Sequence, residues 1–260
     1  MADFRNIQAQ QRPVGGARAD AGIDQGLRSY MLGVYNMMAI GLAVTGLAAF
    51  AVAALATTTD PSAAVAQLAN GKMLTGLGVA LYTSPLRWVV MLAPLAAVFF
   101  LSFRIERLSV STANAVFWGY AALVGLSLSS IFLVFTGQSI VRTFFVTAAS
   151  FGALSLYGYT TKRDLSAMGS FLIMGLFGLI IASLVNLFLK SSALDFAISA
   201  IGVLVFAGLT AWDTQKIKEM YFEADDAAVA GRKAIMGALT LYLDFINLFL
   251  FLLRFLGNRE

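Results

Sequence analysis

Two aspartates stand where an acid is costly. Asp213 lies in Gly208-Leu209-Thr210-Ala211-Trp212-Asp213-Thr214-Gln215, and Asp244 in Leu241-Tyr242-Leu243-Asp244-Phe245-Ile246-Asn247-Leu248-Phe249. A carboxylate inside an apolar run long enough to cross a bilayer is costly unless it is paired, protonated or wet, so each is a candidate functional site. Asp244 is the sharper case, because it sits near the middle of its run. The competing reading is a protonated acid that hydrogen-bonds helices together. Asp213 follows the end of its run, where a solvated acid beside Lys216 and Lys218 is the plain alternative. No helix breaker occurs from Thr214 to Tyr221, however, so the helix is expected to continue past Asp213.

Two carboxylates on consecutive runs can share one site. Side by side they cannot both ionise cheaply, one is pushed towards the neutral form, and the pair titrates as a unit. Such a pair senses pH without histidine, which this chain lacks. Its charge would set its grip on an arginine or a cation, so Asp213 and Asp244 are also the candidate metal ligands. Asn247 and Arg254 follow Asp244 on roughly the same helix face, and this polar stripe is expected to face the bundle interior. Arg104 and Arg107 end an earlier run on the side where Asp213 lies, which permits an Arg107–Asp213 ion pair. Judged on these residues alone, two positive-inside arginines without further role is the preferred account.

The elements that must carry these groups are apolar helices. The 260 residues are 59% hydrophobic and only 12% charged, too few charges for an ordinary water-facing surface. The chain reads as an all-α membrane protein. Spans are expected at Leu32–Ala56, Leu86–Phe103, Ala113–Phe135, Val141–Tyr159, Gly169–Leu189, Phe196–Trp212 and Ala234–Leu253. The second is short and interrupted by Pro94. Thr57–Pro85 reads as a long loop with a weakly helical middle. Residues 1–28 are polar and mixed in charge, a disordered cytoplasmic tail rather than a secretory signal, and residues 29–256 form the seven-helix domain. Barrel strands are not expected, since the runs do not alternate.

Lysine and arginine set the orientation. Arg5, Arg12, Arg18, Arg28, Arg104, Arg107, Lys162, Arg163, Lys216, Lys218, Arg232 and Lys233 fall on one side; Lys72, Arg87, Arg142, Lys190, Arg254 and Arg259 fall on the other. This two-to-one bias puts the N-terminus in the cytoplasm. It also accounts for the net charge of +4 without nucleic acid as a partner. Trp88, Trp118, Tyr157, Tyr159 and Trp212 lie near span ends, as interface anchors do. Small residues within spans, such as Gly119, Gly125, Gly175 and Gly178, read as sites of close helix packing. With no cysteine, disulfides and thiol chemistry are excluded.

The run Gly208–Ile217 resembles the signature of the Bax inhibitor-1 family, and Leu241–Phe249 followed by Leu253-Arg254 resembles that family's last helix. Leu154–Leu165 and Gly125–Ser130 are similar to its bacterial members. The resemblance spans roughly residues 28–256. It implies a seven-helix bundle with the last helix central, in the bacterial inner membrane. Some bacterial members are pH-sensitive calcium leak channels. Their two aspartates form a hydrogen-bonded pH sensor, matching Asp213 and Asp244. An arginine of the second helix latches the first aspartate in the closed state, a role that falls on Arg107, with Arg104 as runner-up. The acid that some members carry within the second helix has no counterpart in Leu86–Phe103.

The leading expectation is therefore a non-enzymatic, pH-gated calcium leak, with calcium as the permeating ion, membrane lipid around it and no cofactor. The alternative is a non-conducting regulator that binds a membrane protease or another membrane protein partner. An intramembrane aspartyl protease also needs two acids on neighbouring spans. The Gly-x-Gly-Asp motif of that class is missing at Asp244, which follows Leu241-Tyr242-Leu243. A retinal-type receptor would need a Schiff-base lysine in the last span, which has none.

Overall fold

The computed structural model describes residues 14–258. The helices are α1 (Val14–Ala56), α2 (Gly76–Tyr82), α3 (Leu86–Arg104), α4 (Val110–Leu128), α5 (Ile131–Val134), α6 (Gly137–Thr160), α7 (Ser166–Leu189), α8 (Ser192–Glu219) and α9 (Ala227–Leu256). Among the described residues, seven segments are long and apolar enough to cross a membrane: Gln25–Ala56, α3, Val110–Val134, α6, α7, α8 and α9. The fold is an all-α membrane bundle. Outward faces such as Phe171, Met174, Phe177 and Phe188 of α7 are exposed apolar surface, as a lipid-facing helix presents.

Local chemistry sets the helix ends. Side-chain oxygens of Ser109, Thr136, Ser191 and Asp226 accept the first free amides of α4, α6, α8 and α9. Lys190, at φ 49°, turns the chain out of α7 in the left-handed conformation. Pro94 does not interrupt α3, which runs unbroken from Leu86 to Arg104. A 3-10 turn, Ile105–Arg107, follows it.

Three sequence expectations change. The span expected at Ala113–Phe135 is two helices, α4 and α5, parted at Ser129-Ser130. There the Ser129 hydroxyl donates to the Leu126 carbonyl at 2.6 Å, an alternative to continued helix. The loop after α1 is not a helix-centred coil. It holds a small antiparallel sheet, β1 (Thr57–Thr58), β2 (Ala66–Gln67) and β3 (Met73–Leu74), in the order β1-β3-β2, and its helix, α2, comes at the end. Gly71, at φ 84°, makes the turn from β2 to β3. Asn70 and Lys72 fasten this sheet to the carbonyls of Leu133 and Phe132 at 2.8 and 2.6 Å. Finally, α1 begins at Val14, inside the segment assigned to a disordered tail, because Ala17-Arg18-Ala19-Asp20-Ala21 are residues that a helix accepts. Residues 1–13 of that tail lie outside the described residues.

The core forms where α1, α4, α6, α8 and α9 meet. α9 packs against α1, α4, α6 and α8, while α7 packs on α8 and α3 on α4. α1 and α4 run parallel and close: a side chain at Gly125 would overlap Thr45, Ala48 and Ala49, as expected for a small residue at a crossing. Gly119 and Gly178 face open space instead. Thr45 donates to the Ala121 carbonyl at 2.8 Å, so its other contact, 2.6 Å to Tyr242, has the tyrosine hydroxyl as donor. Phe117 and Tyr120 meet the Tyr242 ring edge-on.

Candidate functional site: a buried aspartate pair

α8 and α9 form an antiparallel hairpin. Ile217 packs at Gly237 and Phe251 at Gly202, which fixes the register. In that register Asp213 is level with about Leu241, and Asp244 with about Thr210, one helical turn apart. Side chains on a helix lean towards its N-terminus. In an antiparallel pair these leans are opposed, so Asp213 and Asp244 reach towards each other. Their carboxyl groups come within hydrogen-bonding reach. The unequal depths suggested by the two apolar runs are reconciled in this way. α8 carries Asp213 a turn and a half inside its C-terminal end at Glu219, and α9 begins at Ala227, seven residues before its apolar run.

Both acids are buried, at 8% exposure for Asp213 and 5% for Asp244. A carboxylate only accepts hydrogen bonds, so a bond between two carboxyl groups requires a proton on one of them. Asp244 Oδ2 is buried without a protein partner. Lys216, three residues on from Asp213, sets its ammonium over the Trp212 ring at 5.1 Å.

The residues around Asp213 explain why this helix is held so firmly. Trp212 fills the space that a side chain at Gly169 would need, and the Ala211 carbonyl abuts Gly158 of α6. Thr214 donates to the Thr210 carbonyl at 2.7 Å, so Ser155 of α6 is the donor in the 3.1 Å contact between their hydroxyls. Gln215 accepts from the Leu165 amide and donates to the Arg163 carbonyl, both at 2.8 Å. Lys218 donates to the Tyr159 carbonyl at 2.9 Å, one of the carbonyls that the end of α6 leaves free. Within that α6–α7 connection, the Ser166 hydroxyl and amide hold the Asp164 carboxyl below the usual carboxylate range.

Gln215, Ser155 and Thr214 were not singled out in the sequence as functional. The sequence signal for Gln215 was faint: a long amide flanked by Thr214 and Lys216, with its partners elsewhere in the chain. Gln215→Ala is expected to destabilise the protein by about 1–3 kcal/mol, because it strands a buried amide. Hydrogen exchange at Leu165 should accelerate while that at Tyr242 does not.

The sequence profile described as inhibitor of apoptosis-promoting Bax1 matches residues 27–260. The inner membrane protein YbhL of Escherichia coli K12 is 50% identical over 239 residues, 90% of this chain and 94% of YbhL. A protein of Rickettsia prowazekii is 52% identical over 237 residues, 91% of this chain and 92% of its own. A protein of Caulobacter vibrioides is 47% identical over 262 residues, 100% of both. The chain belongs to the Bax inhibitor-1 family. The Gly208–Ile217 run that resembles the family signature is thus the segment that clamps α6 and α7 and presents Asp213 to Asp244.

The other candidates of this family member are placed differently. Arg107 is exposed on the 3-10 turn, and among the described residues no ion pair joins it to Asp213. The turn itself is anchored: Ile105 is buried in the core, and the turn packs against α9. Arg104 is also exposed, with its guanidinium 6.0 Å from the Phe100 ring. The polar stripe on α9 does not point inward as a whole. Asp244 does, Asn247 is half-buried and donates to the Leu243 carbonyl of its own helix at 2.8 Å, and Arg254 is exposed. The reason is geometric: the inward stripe is Leu241, Asp244, Phe245, Leu248 and Leu252, and Asn247 falls on its flank. Among the described residues, no third acid or histidine joins the pair in a metal-binding cluster.

Proposed function

We propose that this Bax inhibitor-1 family protein is a pH-sensitive calcium leak of the bacterial inner membrane, with its N-terminus in the cytoplasm. The Asp213–Asp244 pair is its sensor and Arg107 its latch. The observation that carries this reading is the convergence of two buried carboxyls from consecutive spans, an arrangement that is stable only with a proton between them. When the proton leaves, two adjacent anions repel, and Asp213 turns to a cation instead. Arg107 stands on the turn that packs on α9, at the end of the bundle where α8 finishes. The paired aspartates with a free Arg107 then correspond to the protonated, unlatched arrangement. Deprotonation favours the Arg107–Asp213 pair and closure.

Calcium is cargo here, not a resident ligand. It prefers about six to eight oxygens, and two carboxyls supply a fraction of these, which suits passage with waters attached rather than tight retention. The excess of lysine and arginine at the end carrying Arg28, Lys162, Lys216 and Lys233 supports the orientation.

Calcium entry into liposomes holding the purified protein, scanned from about pH 6 to about pH 8, tests the function. Flux should fall as pH rises. Liposomes no leakier than protein-free ones at every pH would refute a leak and favour a non-conducting regulator.

A further inference from the structure

α1 and α6 both pack on α9 and barely touch each other. Between them runs a seam open to the bilayer. At the Arg28 end it widens into a groove of about 500 Å³ whose walls include Met31, Leu32 and Met38 of α1 with Phe151, Gly152 and Leu156 of α6. Farther along, the same two helices frame a second apolar groove of about 290 Å³, floored by Phe245, Ile246 and Phe249 of α9. The first groove is almost wholly apolar apart from its mouth, where Arg28 is the one charged side chain among the lining residues. Arg28 is exposed, and no described acid pairs with it.

We infer that this groove binds one anionic phospholipid, with its phosphate on Arg28 and an acyl chain lying between α1 and α6. The dimensions suit a lipid of a single leaflet. From Arg28 to Met38 a helix rises about 15 Å, half of a hydrocarbon core of about 30 Å. The chemistry suits it as well. An apolar slot excludes water and ions from its length, and one arginine at the headgroup level, with no acid paired to it among the described residues, favours a negative headgroup over a zwitterionic one. The bound chain would lie against Ser155, which lines the groove and bonds Thr214 on the helix carrying Asp213.

Phosphatidylglycerol and phosphatidylcholine, each with a photoactivatable diazirine on one acyl chain, test this in phosphatidylcholine vesicles holding the full-length protein. Labelled peptides are read by mass spectrometry. Label from phosphatidylglycerol should concentrate in peptides bearing Met31–Met38 and Phe151–Leu156, exceeding phosphatidylcholine there about five-fold. Arg28→Gln should remove the headgroup preference. Gly152→Leu should remove the label itself, since Gly152 lines the groove and a Cβ there meets no atom within 4 Å, so the added side chain enters the groove rather than the packed core. Seam labelling no denser than on the outward face of α7, or equal labelling by the two lipids at the seam, overturns the proposal. The readout is independent of calcium flux, so it stands or falls apart from the channel reading.

Discussion

Asp213→Asn is expected to give a calcium flux that no longer changes between about pH 6 and about pH 8, held near the wild-type acid level. The sign follows from the two partners that the proposed gate gives Asp213. The Asp244 partner needs a proton in the contact, and the Arg107 partner needs that proton gone. In the proposed gate, raising the pH therefore moves wild-type Asp213 from Asp244 to Arg107 and closes the leak. Asparagine has no proton to lose in this range and offers Arg107 no charge, so the closed state loses its charge-assisted bond. At about pH 8 the variant should leak about ten-fold more than wild type, the effect of losing one such bond. Flux in reconstituted liposomes at the two pH values, with circular dichroism confirming the fold, is the check.

Gly158→Ala is expected to destabilise the protein by about 3 kcal/mol, the upper end for overpacking. A methyl group at Gly158 would overlap the Ala211 carbonyl oxygen. That oxygen belongs to the backbone of α8, so a rotamer change cannot make room. The two helices must part, and the Ser155–Thr214 contact at 3.1 Å parts with them. Gly152→Ala, on the same helix, is the internal control: a side chain there meets nothing within 4 Å, and the change should be neutral or slightly stabilising. Thermal unfolding in detergent should separate the two variants by many degrees.

The spans were legible because apolar runs of bilayer length have few alternatives in a chain this poor in charge. Their ends were not, since hydropathy stops at the last apolar residue while the helix goes on. α8 continues through Lys216 and Lys218, and α9 starts in the mixed segment Ala227–Lys233. The sheet of residues 57–74 left no trace in the sequence, because two-residue strands are too short to show alternation. The aspartates stood out as acids in apolar runs, but their contact did not. It depends on the hairpin register set at Gly237 and Gly202 and on the opposed lean of the two side chains. Asn247 shows the limit of reasoning from helix spacing: a residue three positions on from Asp244 lands at the edge of the buried face, where its amide turns to its own backbone. The role of Gln215 is tertiary, since it binds a loop about 50 residues away.

The exchange of partners proposed for Asp213 can be followed directly by the distance between the 3-10 turn and the end of α8. The chain has no cysteine, so spin labels on Phe103→Cys and Glu219→Cys report that distance alone. In liposomes the distance should shorten as pH rises from about 6 to about 8, and Asp213→Asn should abolish the change. A distance that ignores pH in the wild-type background, or that shifts equally with asparagine at position 213, would contradict a latch between Arg107 and Asp213.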